Sequence, residues 1–395
     1  MPSYLAGFRC IGPECEDHCC YGWDITVDRR TTERYRQLKP AGLGKRIRKT
    51  VRPNRRNRSD SRYARILRKG DKCPFLTPDR LCRIHAELGE EYLPDACALF
   101  PRRLRAKKGR IDVSASMACP EIARLALGPP GGIELVESPL EPQAPGIRSV
   151  EPAAPREIEE AGVVLRDAAL SILKDRKHDL WQRLLTLGYL LERVAVQGPE
   201  GTLHLVEEFT CLVDAGGLTG LIESGPVMSG LQLQLVRRLH DELMPAVKTE
   251  VFKNCARDCF AGLGYESAQV FDDSVLRRYD SAHDLFYLPF LEHSGFMLEN
   301  YLVNYLLHHD FCLRQGRALY DNFVLMVVNF AMLKTYMIGM AARHGDDFDA
   351  GMVTRLVYSF TKTVEPNDGF RDYALGLLAE SGCTDMTHLA VLLRN

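Results

Sequence analysis

Eight of the thirteen cysteines in this chain fall before residue 120, in two runs: Cys10, Cys15, Cys19 and Cys20, then Cys73, Cys82, Cys97 and Cys119. This pattern constrains the first third of the chain more than any apolar period does, because it calls for long-range closure of sulfur atoms around a centre. With 395 residues and 46% apolar content the chain can build a large core without disulfides, so the cysteines need another explanation. The opening MPSYLAGFRC has no charged start leading into an apolar stretch and a small-residue cleavage site. No secretory leader is therefore expected, and a cytoplasmic location is. In a reducing compartment, clustered cysteines point to metal binding or catalysis.

The first run puts four sulfurs within eleven residues, so a single turn-rich loop can present three of them to one centre. Vicinal Cys19 and Cys20 point differently, and one of the pair is expected to ligate elsewhere or to stay a thiol. In the second run, Cys73 to Cys82 reads as a hairpin or tight loop. Soft thiolates select zinc or iron–sulfur clusters over magnesium or calcium. Zinc sites usually show CxxC knuckles, and the chain contains none. The eight cysteines are accordingly read as ligands of an iron–sulfur centre, with zinc as the alternative. A centre that cleaves S-adenosylmethionine by radical chemistry is expected to show CxxxCxxC, whereas this chain has CxxxCC; structural and catalytic clusters both remain open. Cys211, Cys255, Cys259, Cys312 and Cys383 lie in helical segments and are read as plain thiols.

The expected organisation has three parts. Residues 1–128 form a cysteine-rich, loop-heavy metal-binding region, in which ligation substitutes for part of the apolar core. Residues 129–156, with seven prolines and three glycines, form an ordered connector. Residues 157–395 form a helical domain, because apolar residues recur there at spacings of three and four, as in Leu165, Ala169, Ile172 and Leu173. Ile111 to Ser116 is the best strand candidate. No strand leads into a GxGxxG turn, so a doubly wound dinucleotide-type domain is disfavoured. The fold class is thus mainly α, the cysteine-rich region packed on a helical domain, without a Rossmann-type sheet. The apolar stretch Phe323 to Ala342 is broken by Asn329 and Lys334 and reads as a buried core helix; no membrane partner is expected.

Three stretches carry a family resemblance. FRCIGPECEDHCCYGWDITVD (Phe8 to Asp28), CPFLTPDRLCRIHAELGEEYLPDACALFPRR (Cys73 to Arg103) and MACPE (Met117 to Glu121) resemble the flagellin lysine-N-methylases. LENYLVNYLL (Leu298 to Leu307) and the aromatic-rich helix from Tyr320 resemble the C-terminal part of that family. The resemblance implies methyl transfer from S-adenosylmethionine to the Nε of surface lysines on flagellin, and a 4Fe-4S cluster.

Lysine methylation asks for a neutral ε-amine, held below its ordinary pKa of about 10.4, and for aromatic walls around cationic sulfonium and ammonium groups. Candidate catalytic residues are Glu299, Asn300, Tyr301, Asn304 and Tyr305: Asn300 and Asn304 share one helix face, and Tyr301 and Tyr305 share the neighbouring one. Residues that bind the methyl donor are not identifiable from the sequence, and neither is the oligomeric state. Net charge is only −1, yet Arg29 to Lys69 holds seventeen Lys and Arg against two acids. The basic arm from Lys45 to Lys72 suits a nucleic acid, but Tyr63 is its only aromatic residue, so single-strand stacking gains little support. Docking to an acidic protein surface such as flagellin is preferred. A metal-dependent nucleic-acid-binding regulator and a non-catalytic cysteine scaffold are the rival classes.

Overall fold

The computed structural model describes residues 1–17, 19–23, 25–55, 59–68, 70, 72–107, 110–138, 150–217, 220, 227–265, 273–383 and 385–394. Residues 56–58, 69 and 71 of the basic arm and residues 139–149 of the Pro/Gly stretch lie outside the described set. The chain divides into two compact units, one of residues 1–125 and 134–153, the other of residues 126–133 and 154–395. The Pro/Gly stretch thus contributes to both.

The first unit is built on short antiparallel strands. Ala64–Ile66 lies between Thr26–Val27 and Val51–Pro53, with Val51 opposite Ile66 and Thr26 opposite Arg65. Ala64 and Ile66 point inward and Arg65 outward, the alternation a half-buried strand requires. Their inner face meets Ile25, Val27, Tyr35, Ile47, Phe75 and Ile84 in one small core. A second hairpin pairs Arg102–Lys107 with Arg110–Ala115, which is where the sequence placed its best strand. Arg103 and Arg105 both clasp Glu151, at 2.6 and 2.8 Å, and Glu151 also bridges in parallel to Arg105. Part of the basic arm is folded: helix Gly42–Thr50 runs into the strand at Val51, and Arg48 donates to the carbonyls of Arg36 and Leu38.

Among the described residues every regular element of the second unit is a helix. The periodic segments fold as Arg156–Lys174, Leu180–Gln197, Thr202–Asp214, Ser229–Leu243, Phe296–His308, Arg317–His344, Ala350–Val364 and Asp368–Glu380. Starts are written in the sequence: Asp179 and Gln182 make a reciprocal capping box, and Thr249, Asp349 and Asn367 each cap a backbone N–H. Arg317–His344 is long and apolar enough to cross a membrane, but its apolar window is wholly buried within the protein. It is the central core helix.

Helix Glu250–Gly262 packs hard against that central helix, because small residues meet at the crossing. A Cβ at Gly262 would lie 2.0 Å from the Gly339 carbonyl oxygen, and one at Gly339 would lie 2.5 Å from Cys259 Sγ. Gly339→Ala is therefore expected to destabilise by about 2 kcal/mol. The helix-propensity gain of roughly 1 kcal/mol is outweighed by overpacking of backbone against backbone. Urea unfolding of the variant checks this; an unchanged or raised midpoint would mean that the two helices slide apart freely.

One helix departs from α geometry. Asp273–Ala282 continues through a π-helical turn, His283–Tyr287, into Leu288–Ser294. The only sheets among the described residues are the two antiparallel ones of the first unit, so the expectation of a mainly helical fold without a Rossmann-type sheet holds. Methyl-donor binding cannot rest on a strand–glycine–helix turn among these residues.

Candidate functional site

The cysteines of the first unit are brought together by backbone contacts between distant segments. Cys73 N–H donates to Cys20 O at 2.9 Å, beside the Tyr21–Lys72 bridge. The loop from Cys73 to Cys82 is tight: Leu76 bridges to Cys82, and Arg83 N–H reaches back to Phe75 O at 2.8 Å. Asp28 acts twice, accepting from Thr31 N–H at 2.8 Å and from Asp95 N–H at 3.0 Å. One buried carboxylate thereby starts helix Arg29–Gln37 and fixes helix Asp95–Leu99, which carries Cys97. Trp23 Nε1 donates to Cys19 O, and its ring stacks on Phe100.

The outcome is a network of sulfurs. Cys20 lies beside Cys19 and Cys73, close enough for the thiols to shift one another's acidity; Cys82 and Cys97 feel the charge of Cys73 and Cys19. Cys15 is influenced by Cys10, and Cys119 by Cys15 and Cys19. Cys73 belongs to the apolar core, with Cys20, Cys82 and Cys97 packed against it. The thiols are neighbours rather than a finished ligand cage: among the described residues no group of three or more His, Cys, Asp or Glu stands ready to hold a metal ion.

Burial governs their acidity. It pushes the Cys15 thiol up to about 11 and that of Cys119 up to about 12, and it raises Cys82 and Cys97. Cys20 is raised chiefly by its hydrogen bonds to Cys19 and Cys73, and Cys73 is correspondingly lowered by Cys20. Opposing the burial, backbone N–H groups of Phe75 and Leu76 point at Cys73, those of His85 and Ile84 at Cys82, and those of Ile122 and Glu121 at Cys119. Crowded, buried thiols with amide donors aimed at sulfur suit a soft cation, which supplies the positive charge their deprotonation needs. By donor chemistry the set suits a soft, thiolate-bound centre, while the sulfurs as placed are not gathered around one point.

The five candidate catalytic residues all lie on helix Phe296–His308, and all are buried. The Glu299 carboxylate accepts from Arg176 Nε at 2.9 Å and Nη2 at 2.8 Å, and from Arg183 Nη1 at 2.8 Å. Burial alone raises its pKa, but the two guanidinium groups prevail and hold it below the ordinary carboxylate value. Asn300 is fully buried, and its Nδ2 donates to Pro129 O at 2.9 Å and Leu127 O at 3.4 Å. It braces the turn that ends at Gly132. That glycine has φ +90°, and a Cβ there would come within 3.3 Å of Glu299 Oε1. Tyr301 and Tyr305 stand 6.3 Å apart by ring centres, with His309 beyond Tyr305 and in turn 3.3 Å from Glu365. Burial raises both phenols. Asn304 is buried in the same helix.

Glu299 also borders a cavity of about 600 Å³ in the helical unit, whose wall includes Arg176, Trp181, Tyr287, Phe296 and Lys334. Sequence reasoning missed this group. The one available signal was Lys334, a charge inside an otherwise apolar run. Its Nζ donates to Leu393 O at 2.8 Å, and burial pushes its pKa down to about 7.

Comparison with known proteins places this helical unit. The sequence profile of the FliB lysine N-methylase C-terminal domain matches residues 166–392. The chain is 34% identical over 136 residues to a flagellar biosynthetic protein FliU of Salmonella muenchen, covering 34% of this chain and 80% of that relative. It is 32% identical over 139 residues to the lysine-N-methylases of Salmonella choleraesuis and Salmonella typhimurium, covering 35% of this chain and 35% of each of them. The matched segment thus spans about a third of those two enzymes' length. No solved structure matches. With its profile match extending over more than half of its length, the chain belongs to the FliB lysine N-methylase family.

Proposed function

We propose that this chain is a cytoplasmic protein-lysine N-methyltransferase that moves a methyl group from S-adenosylmethionine to surface lysines of flagellin and carries a 4Fe-4S cluster on its N-terminal cysteines. The observation that carries the reading is that the matched family region, 166–392, is the same helical unit that encloses the aromatic and charged cavity. In the reaction, the lone pair of a neutral ε-amine attacks the methyl carbon and the carbon–sulfur bond breaks. Its electron pair stays on sulfur, leaving S-adenosylhomocysteine and a methylated ammonium. Before attack, the substrate ammonium must lose a proton to solvent or to a base. A water-poor site favours this by disfavouring the charged amine. The basic arm serves substrate encounter, drawing an acidic protein surface in by long-range attraction.

For the cluster, the ligands would come from Cys19, Cys20, Cys73, Cys82 and Cys97, with Cys10, Cys15 and Cys119 forming the adjoining group. When bound, an iron–sulfur centre there supplies cross-links between chain segments and a potential electron-carrying site.

Mass spectrometry of flagellin coexpressed with and without this chain tests the activity. Lysines are expected to gain the mass of one CH2 unit per transfer. Unmodified flagellin from cells containing folded protein would end the methyltransferase reading. The cluster is tested separately after anaerobic purification: Cys73→Ala is expected to lose iron and labile sulfide together and to lower the thermal midpoint, because ligation free energy is folding free energy in such sites. Cys211→Ala, at an exposed position on helix Thr202–Asp214, is expected to keep both. Stoichiometric zinc in place of iron would replace the cluster assignment.

A further inference from the structure

We propose that the cavity of about 600 Å³ is the binding site for S-adenosylmethionine, with Arg176 and Glu299 receiving its amino-acid head and Trp181 and Phe296 flanking its sulfonium and adenosyl portions. The inference rests on the methyltransferase reading and assigns that reading a place in the fold.

Size is the first argument. The cavity lies in the range of small-molecule sites, roughly 300–1,000 Å³, and is far larger than one inserted lysine side chain requires. Its charge pattern is the second. An α-amino-acid head is a zwitterion, and the cavity border offers a carboxylate beside a guanidinium. The Arg176 side chain is 45% exposed and that of Glu299 only 4%. Arg176 can therefore turn toward an incoming carboxylate while Glu299, still held by Arg183 at 2.8 Å, accepts from the α-ammonium.

The third argument is the treatment of positive charge. A sulfonium cation gains from aromatic faces, and the cavity presents Trp181 and Phe296. Lys334 also lies in the wall. A permanently charged ammonium there would repel the sulfonium; burial pushes the Lys334 pKa down to about 7, which reduces that charge near neutral pH. Finally, the π-helical turn contributes His283 and Tyr287 to the wall. Turns of that kind recur at functional sites, where the extra residue re-aims side chains.

The test is calorimetric titration of S-adenosylhomocysteine into the full-length chain, anaerobically purified, with methyl transfer to flagellin assayed in parallel. Arg176→Gln is expected to weaken binding by roughly tenfold or more, as loss of one charge-assisted hydrogen bond does. Leu288→Trp provides a second variant that spares the core, since Leu288 borders the cavity and is 43% exposed; a bulky ring there is expected to obstruct the mouth and weaken binding as strongly. Leu288→Trp should retain the wild-type thermal midpoint, and Arg176→Gln should fold with a lowered one, because Glu299 then keeps Arg183 alone of its two guanidinium partners. If the folded variants bind as the wild type does and transfer continues, the cavity assignment is overturned while the enzyme reading stands. If the wild type neither binds the ligand nor transfers methyl groups, both fall together.

Discussion

Glu299→Ala is expected to destabilise the helical unit by about 3–5 kcal/mol, because it strands two guanidinium groups around a vacated position. Arg183 is the more damaging orphan. Its side chain is 11% exposed, and it is held in place by further bonds to His178 O at 2.7 Å and Leu173 O at 2.9 Å. It cannot swing into water without breaking the junction between helices Arg156–Lys174 and Leu180–Gln197. Arg176, nearly half exposed, can escape. The expected loss is therefore set by one desolvated cation rather than by two. A pH dependence follows with definite sign: Glu299 has its folded pKa depressed, so its contribution is present above the unfolded value near 4.5 and disappears as pH falls through the folded one. Urea unfolding at neutral pH should show the full deficit, and the difference between wild type and variant should shrink on acidification. A loss smaller than about 1 kcal/mol at neutral pH would reduce this cluster to an ordinary surface ion pair.

Lys334→Met is expected to act in the opposite direction and stabilise the protein at pH 7. Burial lowers the Lys334 pKa from 10.5 to about 7, and a shift of that size corresponds to a penalty on the order of 4 kcal/mol. Removing the amine leaves Leu393 O without its 2.8 Å donor, which returns roughly 1–3 kcal/mol. The net gain is thus about 1–3 kcal/mol. The sign with pH is fixed by proton counting. Between the folded value near 7 and the unfolded 10.5, the unfolded chain binds more protons, so the wild type gains stability as pH rises through that window. The advantage of the methionine variant should therefore fade toward alkaline pH. Thermal unfolding at pH 7 and again near the upper end of that window measures it; a variant less stable than the wild type at both would show that the lysine is a net structural support. A destabilising buried amine that borders a cavity is the kind of local inconsistency that functional sites retain.

Much of the architecture could be read from residues alone. Apolar spacing located the long helices, and Ile111 to Ser116 anticipated the Arg110–Ala115 strand, because both depend on local periodicity. The spacing of the eight cysteines was legible as a demand for closure, and among the described residues no three of them stand ready around one ion. The contacts that join their segments were not legible, since the Cys73 N–H to Cys20 O bond, the Leu76–Cys82 bridge and the buried Asp28 with its partners at Thr31 and Asp95 give no compositional signal. The spacing put the candidate residues of helix Phe296–His308 on two neighbouring faces, and in the structure all five are buried. Asn300 spends its amide hydrogens on the Leu127 and Pro129 carbonyls. The partners of Glu299 sit 123 and 116 residues away in sequence, beyond the reach of any local pattern, so Arg176 and Arg183 carried no mark of their role.

The π-helical turn at His283–Tyr287 has a consequence for how this part of the chain keeps its phase. The inward-facing positions run Val275, Tyr279, Ala282 and then Tyr287, and the last step is one residue longer than an α-helix would take. A surplus residue advances the rotation of everything after it by about 100°. The segments before and after the turn therefore obey two separate registers. Tyr287 reaches the cavity wall only because the count slips, and shortening the chain there by a single position would swing that ring away from the space it now borders.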